Sequence, residues 1–173
     1  MDTLENLRYP IGRYSPPDII QSDTVSGWIT EISDLPALVK VAVEGLSEEQ
    51  LLLTYREGGW NIQQIIYHLG DSHLNSYVRF KWTLTEETPQ IKTYDEAAWA
   101  SLHDSNGSLE DALDFLRVLH TRWAFLMSGM SDSQWEKEFT HPETGRAISL
   151  KKNLGLYVWH GQHHLAHIHL ALN

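Results

Sequence analysis

At roughly 100 to 200 residues per domain, a chain of 173 residues makes one domain, spanning 1–173, around one core. Thirteen Lys and Arg against 23 Asp and Glu leave a formal net charge of −10, the reverse of the basic surface with which a nucleic-acid binder neutralises phosphates. There are no cysteines, which excludes disulfides, thiolate zinc sites, iron–sulfur clusters and a cysteine nucleophile, so any metal must be held by His, Asp or Glu.

The first residues, Met1-Asp2-Thr3-Leu4-Glu5, lack the basic and apolar regions of a signal peptide. No run approaches the roughly 18 apolar residues that span a bilayer, and the expectation is a soluble cytoplasmic protein without membrane contact. Residues 1–21 carry Pro10, Gly12, Pro16 and Pro17 and predict an extended arm laid over the surface. From Ser22 to Gly45 the apolar positions recur at three- and four-residue steps, the pattern of an amphipathic helix. Pro36, which has no N–H to give, is expected to kink or split that helix near Asp34. Ser47 with Gln50 is a capping box that starts a short helix, and Gly58-Gly59 breaks the chain after it.

Asn61 with Gln64 caps a second long helix that runs to about Thr85. Residues 86–107 form a long connection with one helical turn at Asp95 to Ser101, long enough for a crossover. Ser108 and Asp111 cap the third long helix, and the fourth starts near Ser149 and runs to the C-terminus. No segment alternates convincingly with period two, so the predicted fold class is all-α, a four-helix bundle with a long crossover between helices two and three. A short internal repeat accompanies it. Gly45-Leu46-Ser47-Glu48-Glu49-Gln50-Leu51 parallels Gly129-Met130-Ser131-Asp132-Ser133-Gln134-Trp135, and each copy leads to a helix with a histidine after an aromatic, Tyr67-His68 and Trp159-His160. Duplication of a helical hairpin and two generic helix starts both account for it.

Five of the ten histidines fall in the last fourteen residues. With His160 set at 0° on a helical projection, His164 lies at roughly +40°, His167 at roughly −20° and His163 at roughly −60°, beside an apolar stripe centred at roughly +120°. His163 leans away from the stripe. On the second helix, Ser72, Arg79, Asn75 and Gln64 share the strip of His68. Strips at the shoulder of a buried face point into the clefts of a bundle, where bundle metal sites are built. Two histidines at i and i+4 with a third from another helix leave positions for water and substrate, as catalytic metal sites require. A lone helical His-x-x-x-His arises often by chance; four histidines on one face beside a core, with a matching polar strip elsewhere, raise the weight of the metal reading over that of satisfied core histidines. Partly buried histidines this close stay neutral, the form a divalent cation needs.

The segments Tyr67-His68-Leu69-Gly70-Asp71-Ser72-His73-Leu74-Asn75-Ser76-Tyr77 and Trp159-His160-Gly161-Gln162-His163-His164-Leu165-Ala166-His167-Ile168 resemble the DinB superfamily of bundle metalloproteins. More closely they resemble its YfiT group, named for metal-dependent hydrolysis and overlapping the bacillithiol transferases. The resemblance extends to Tyr9-Pro10-Ile11-Gly12, Arg56-Glu57-Gly58-Gly59-Trp60 and the stretch from Thr85 through Trp99. It implies a metal held by His68, His160 and His164, a four-helix bundle with a crossover, and a homodimer. Tyr67 departs from close relatives, which carry a further histidine there, at a position that is not a ligand. His163 and His167 are left without an assigned role, His167 being either a substitute ligand or a hydrogen-bond partner of a metal-held water.

One divalent ion per chain is expected, zinc first and nickel second. Such an ion supports hydrolysis through an activated water, or transfer of a low-molecular-weight thiol of the bacillithiol type to a small electrophile. Both use the same open position, and without cysteine the thiol would be a cosubstrate. Asn75 and Arg79 are the candidates for orienting a small polar or acidic substrate, although pairing of Arg79 with a surface carboxylate is an equal reading. Asp71 and Asp95 are weaker candidates as proton acceptors, and Trp60 and Trp99 are placed to border a pocket. The competing classes are a non-catalytic metal-binding or stress-responsive protein and a purely structural dimer module.

Overall fold

The capping signals fall where the helices begin in the computed structural model, which describes residues 4–173. A short helix α1 (Leu4–Arg8) is followed by an extended arm and by α2 (Ser22–Val43). Next come α3 (Glu48–Leu51), α4 (Ile62–Thr85), α5 (Glu96–Ala100), one 3-10 turn (His103–Asn106) and α6 (Leu109–Ser128). The chain closes with α7 (Asp132–Trp135), strands β1 (Glu138–Thr140) and β2 (Ala147–Ser149), and α8 (Leu150–Ala171). Asn61 Oδ1 accepts from Gln64 N–H at 2.8 Å while Gln64 Oε1 accepts from Asn61 N–H at 3.1 Å, so α4 starts with two of its free donors satisfied. Ser47 with Gln50 repeats that arrangement before α3. In the second copy of the repeat, Gln134 Oε1 accepts from Ser131 N–H at 2.8 Å before α7. Asp95 Oδ1 accepts from Ala98 N–H at 2.8 Å and caps α5.

Three sequence expectations are corrected. The arm is not extended throughout, since α1 precedes it. Pro36 does not split its helix: α2 runs through it unbroken, with Pro36 buried. The carbonyl that loses its helical partner there is that of Ile32, and His120 Nδ1 takes it at 2.5 Å; left unpaired in the core, it would cost about 1–3 kcal/mol. The fold also contains a two-stranded antiparallel ladder, pairing Glu138 with Ser149, Phe139 with Ile148 and Thr140 with Ala147. Strands of three residues are too short to show alternation. Gly145, at φ +64°, supplies the turn between them.

Among the four long helices, α2 packs on α6 and α8, and α4 packs on the same two. Apolar side chains fill the bundle in two clusters. One joins the first half of α2 (Val25, Ile32) and the start of α8 (Leu150, Leu154) to the far ends of α4 and α6 (Phe80, Trp123, Met127). The other joins the second half of α2 (Leu35, Val39, Val43) and the end of α8 (Leu165, Ile168) to the starts of α4 and α6 (Ile62, Ile65, Leu116). Helices α2 and α8 therefore run parallel, and α4 and α6 run together in the opposite direction. The segment between α4 and α6 must travel back along the bundle, the crossover that its length predicts. Tyr67 Oη donates to the Ser108 carbonyl at 3.1 Å and Gln63 Nε2 to that of Gly107 at 2.9 Å, pinning the start of α6 beside the start of α4. Among the described residues no helix is long and apolar enough to cross a membrane.

Candidate metal centre

Between the two apolar clusters lies a layer of histidines. His68 comes from α4 and His160 and His164 from α8, and the three bring one ring nitrogen each to within 4.8 Å of one another. His68 Nε2 stands 3.1 Å from His160 Nε2. The His164 ring lies 4.8 Å from that of His68 and 4.6 Å from that of His160, at steep angles to both. Burial pushes the His68 imidazole down to about 4, and burial with neighbouring histidines holds His160 and His164 well below the ordinary value. All three are therefore neutral near pH 7 and carry a lone pair, which a cation requires and a cationic imidazole cannot offer. Nitrogens bound to one zinc ion at roughly 2.0–2.1 Å are about 3.4 Å apart in tetrahedral and about 2.9 Å apart in octahedral geometry. The 3.1 Å between His68 and His160 falls within that interval, so the residues present fit a divalent ion.

The start of α4 is fixed by a capping box visible in the sequence, whereas Ser149 at the start of α8 makes no side-chain cap, and the groups that cover the centre come from elsewhere. Trp60, after the glycine pair, stacks with its ring centre 4.5 Å from His68 and 6.0 Å from His164, and so borders the centre. Trp99 packs instead on Tyr94, 4.4 Å away. His163 leans away from the apolar stripe of its helix on the projection, yet it is not left open. It is buried against Trp159, 4.5 Å between ring centres, with Tyr9 of the arm 5.9 Å away. A projection of one helix contains no information about a segment that crosses it from 150 residues away in sequence.

His167 is tied to α1. Its Nε2 lies 3.1 Å from the Leu7 carbonyl, which can only accept, so Nε2 carries the proton. The ring is neutral near pH 7, since burial brings it to about 4, and Nδ1 is left as an acceptor facing His164 Nδ1 at 3.4 Å. His164 then holds its proton on Nδ1 and its lone pair on Nε2. His163, His164 and His167 also lie close enough to hold an ion, but in this arrangement both nitrogens of His167 are already engaged. Its side chain stacks on Tyr55 at 3.8 Å.

Arg79 reaches the same region from one side. It donates from Nη1 to Tyr157 Oη at 3.2 Å and from Nη2 to the Lys92 carbonyl at 3.3 Å, and it lines a cavity of about 320 Å³ together with His160, Ser72, Tyr94 and Glu96. Arg79 forms no carboxylate ion pair within 4.0 Å among the described residues. Asn75 is not brought to that cavity; its amide donates to the Asp71 carbonyl of its own helix at 2.9 Å. Asp71 faces away, beside Tyr67 and Asp104, where burial first and Asp104 second push its carboxyl up to about 6. Asp95 is spent on its cap. Two buried histidines that the sequence reading did not single out, His73 and His120, stand directly behind His160. The signal for them was present: a histidine inside an otherwise apolar stripe must find a partner once buried.

The sequence profile of the DinB superfamily matches residues 31–168. A protein of Oceanobacillus iheyensis named “Putative metal-dependent hydrolase” is 48% identical over 163 residues, covering 94% of each chain. “Putative metal-dependent hydrolase YfiT” of Bacillus subtilis is 47% identical over 167 residues, covering 96% of this chain and 94% of its own. A solved structure of Bacillus subtilis YfiT, described as a probable metal-dependent hydrolase with an unusual four-helix bundle topology, superposes with a TM-score of 0.93 at 47% identity, covering 96% of this chain and 95% of that one.

Proposed function

The chain belongs to the DinB superfamily, and on that premise we propose that it is a metal-dependent hydrolase whose single ion is held by His68, His160 and His164. The observation that carries the reading is the 3.1 Å approach of His68 Nε2 to His160 Nε2, two neutral imidazoles from opposite helices aimed at one point with His164 beside them. Relatives named for metal-dependent hydrolysis over nearly their whole length support the same class. Zinc or nickel bound there would supply Lewis acidity toward a water, a thiol or a carbonyl while leaving positions free for substrate.

The protein's own residues do the rest. Trp60 covers His68 and His164 and keeps bulk water from that side of the centre. Arg79, held by Tyr157 and the Lys92 carbonyl, presents its charge to the cavity that His160 lines, where it orients a polar or acidic part of a small substrate. Thiol transfer is the alternative chemistry at the same position, with the thiol as cosubstrate because the chain has no cysteine.

The test is a panel assay of zinc- and nickel-loaded protein against activated esters, amides, and a low-molecular-weight thiol paired with a small electrophile. Hydrolysis that is lost in His164→Ala is the expected result. Thiol transfer without hydrolysis would replace the reading with a transferase, and inertness toward the whole panel with the metal retained would favour a binding protein.

A further inference from the structure

We propose that His73 and His120 are positioning residues: with the Ile32 carbonyl they form a one-way hydrogen-bond chain that fixes His160 with its proton on Nδ1 and its lone pair on Nε2. The chain starts in the backbone. In an α-helix the carbonyl of residue 32 accepts from the N–H of residue 36, and here residue 36 is Pro36, which has none. The freed carbonyl lies 2.5 Å from His120 Nδ1. His120 Nε2 lies 2.9 Å from His73 Nδ1, and His73 Nε2 lies 3.1 Å from His160 Nδ1.

A carbonyl oxygen has no proton to give, so the direction of every bond behind it is determined. His120 must carry its proton on Nδ1. Being neutral, it offers a lone pair at Nε2, which makes His73 Nδ1 the donor, and the same step makes His160 Nδ1 the donor to His73 Nε2. His160 Nε2 is left bare, and it is the nitrogen that faces His68 Nε2. Burial favours neutral rings throughout: His73 and His120 are fully buried, and His73 stacks on His120 with ring centres 4.8 Å apart. The Ile32 end is enclosed in the bundle, so the chain orients His160 and has no outlet through which to conduct a proton to solvent. Groups behind a metal-ligating imidazole set its orientation and raise its basicity. The proposal rests on the reading of His160 as a ligand for its functional meaning, whereas the chain itself is present without an ion.

The experiment uses the full chain, metal-free and labelled with 15N-histidine, and reads the protonated nitrogen of each ring by long-range proton–nitrogen correlation. The expected spectrum shows His73, His120 and His160 all protonated on Nδ1, the tautomer disfavoured in free histidine. An Nε2-protonated ring at any of the three would overturn the chain. A second reading comes from folded His120→Leu, titrated with zinc. Affinity should fall about 10- to 100-fold, with His160 becoming a mixture of tautomers, and wild-type affinity with an unmixed His160 would count against the proposal. Should that variant not fold, the wild-type spectrum still decides. Three Nδ1-protonated rings in a protein that binds no zinc would uphold the chain and contradict the ligand assignment, so the two failures are distinguishable.

Discussion

His167 Nε2 stands 3.1 Å from the carbonyl oxygen of Leu7, tying the first helix of the chain to the histidine face across 160 residues of sequence. Through His167 Nδ1 the same contact reaches His164. Replacing His167 with Ala removes the group that holds His164 in its Nδ1-protonated form, and zinc affinity should fall about 10- to 100-fold. His167→Gln keeps a donor toward Leu7 and should recover part of the loss. Competition titration with a zinc chelator measures both, and equal affinities in wild type and His167→Ala would contradict the role.

Acid should destabilise the metal-free protein through His120 from about pH 6.5 downward. His120 is fully buried, and desolvation takes it from 6.5 to about 4 in the fold. Between those values the unfolded chain binds more protons than the folded one, so stability rises with pH across that window. The contribution of His120 is complete above about pH 6.5 and is lost as pH falls toward 4. Urea midpoints taken from pH 7 to pH 4.5 should decline, and more shallowly in His120→Leu; parallel profiles for the two proteins would show that His120 is not responsible.

Helices α2 and α8 approach closely at Gly161, where an added Cβ would meet Leu35 Cδ2 at 2.5 Å and Cδ1 at 3.3 Å. Leu35 is itself buried and has little freedom to move. Gly161→Ala gains about 1 kcal/mol of helix propensity against an overpacking cost of about 1–3 kcal/mol. Net destabilisation is therefore expected in thermal or urea unfolding, together with displacement of the adjacent His160. A variant as stable as wild type would mean that the interface yields more easily than its packing implies.

The role proposed for Arg79 is testable apart from the metal, because Arg79 lines the cavity beside His160 without bonding any of the three histidines. Arg79→Ala should leave the metal content unchanged, because its hydrogen bonds go to Tyr157 and the Lys92 carbonyl and to none of the histidines. It should lower kcat/KM on a polar substrate by roughly 10- to 100-fold, the range of one lost charge-assisted hydrogen bond of about 1.5–3 kcal/mol. Steady-state kinetics beside elemental analysis reads both quantities. Loss of the ion with the guanidinium would move Arg79 from the substrate to the scaffold.

The caps at Ser47, Asn61 and Ser108 and the periodic stripes between them gave away the helices because their causes are local. That His68, His160 and His164 come together was an expectation from two helix faces and a family resemblance, and the structure brings one ring nitrogen of each to within 4.8 Å of the others. What stayed hidden depends on residues distant in sequence. Pro36 signalled a break, and the helix stays whole because a histidine on α6 takes the carbonyl it frees. His163 leans away from the apolar stripe of its own helix, and it is buried all the same because Tyr9 of the arm and Trp159 pack against it. Asn75 shared the strip of His68 on a projection, yet its amide found a carbonyl one turn back in its own helix, a competition that side-chain spacing does not register.

The most direct measurement is the metal content of protein purified without a metal-affinity tag, for wild type and for His160→Ala combined with His164→Ala. The arrangement of His68, His160 and His164 predicts one zinc or nickel ion per chain in the wild type and none in the double variant. A wild type that holds no metal after incubation with zinc or nickel and desalting, or a double variant that keeps its ion, would contradict the three-histidine centre.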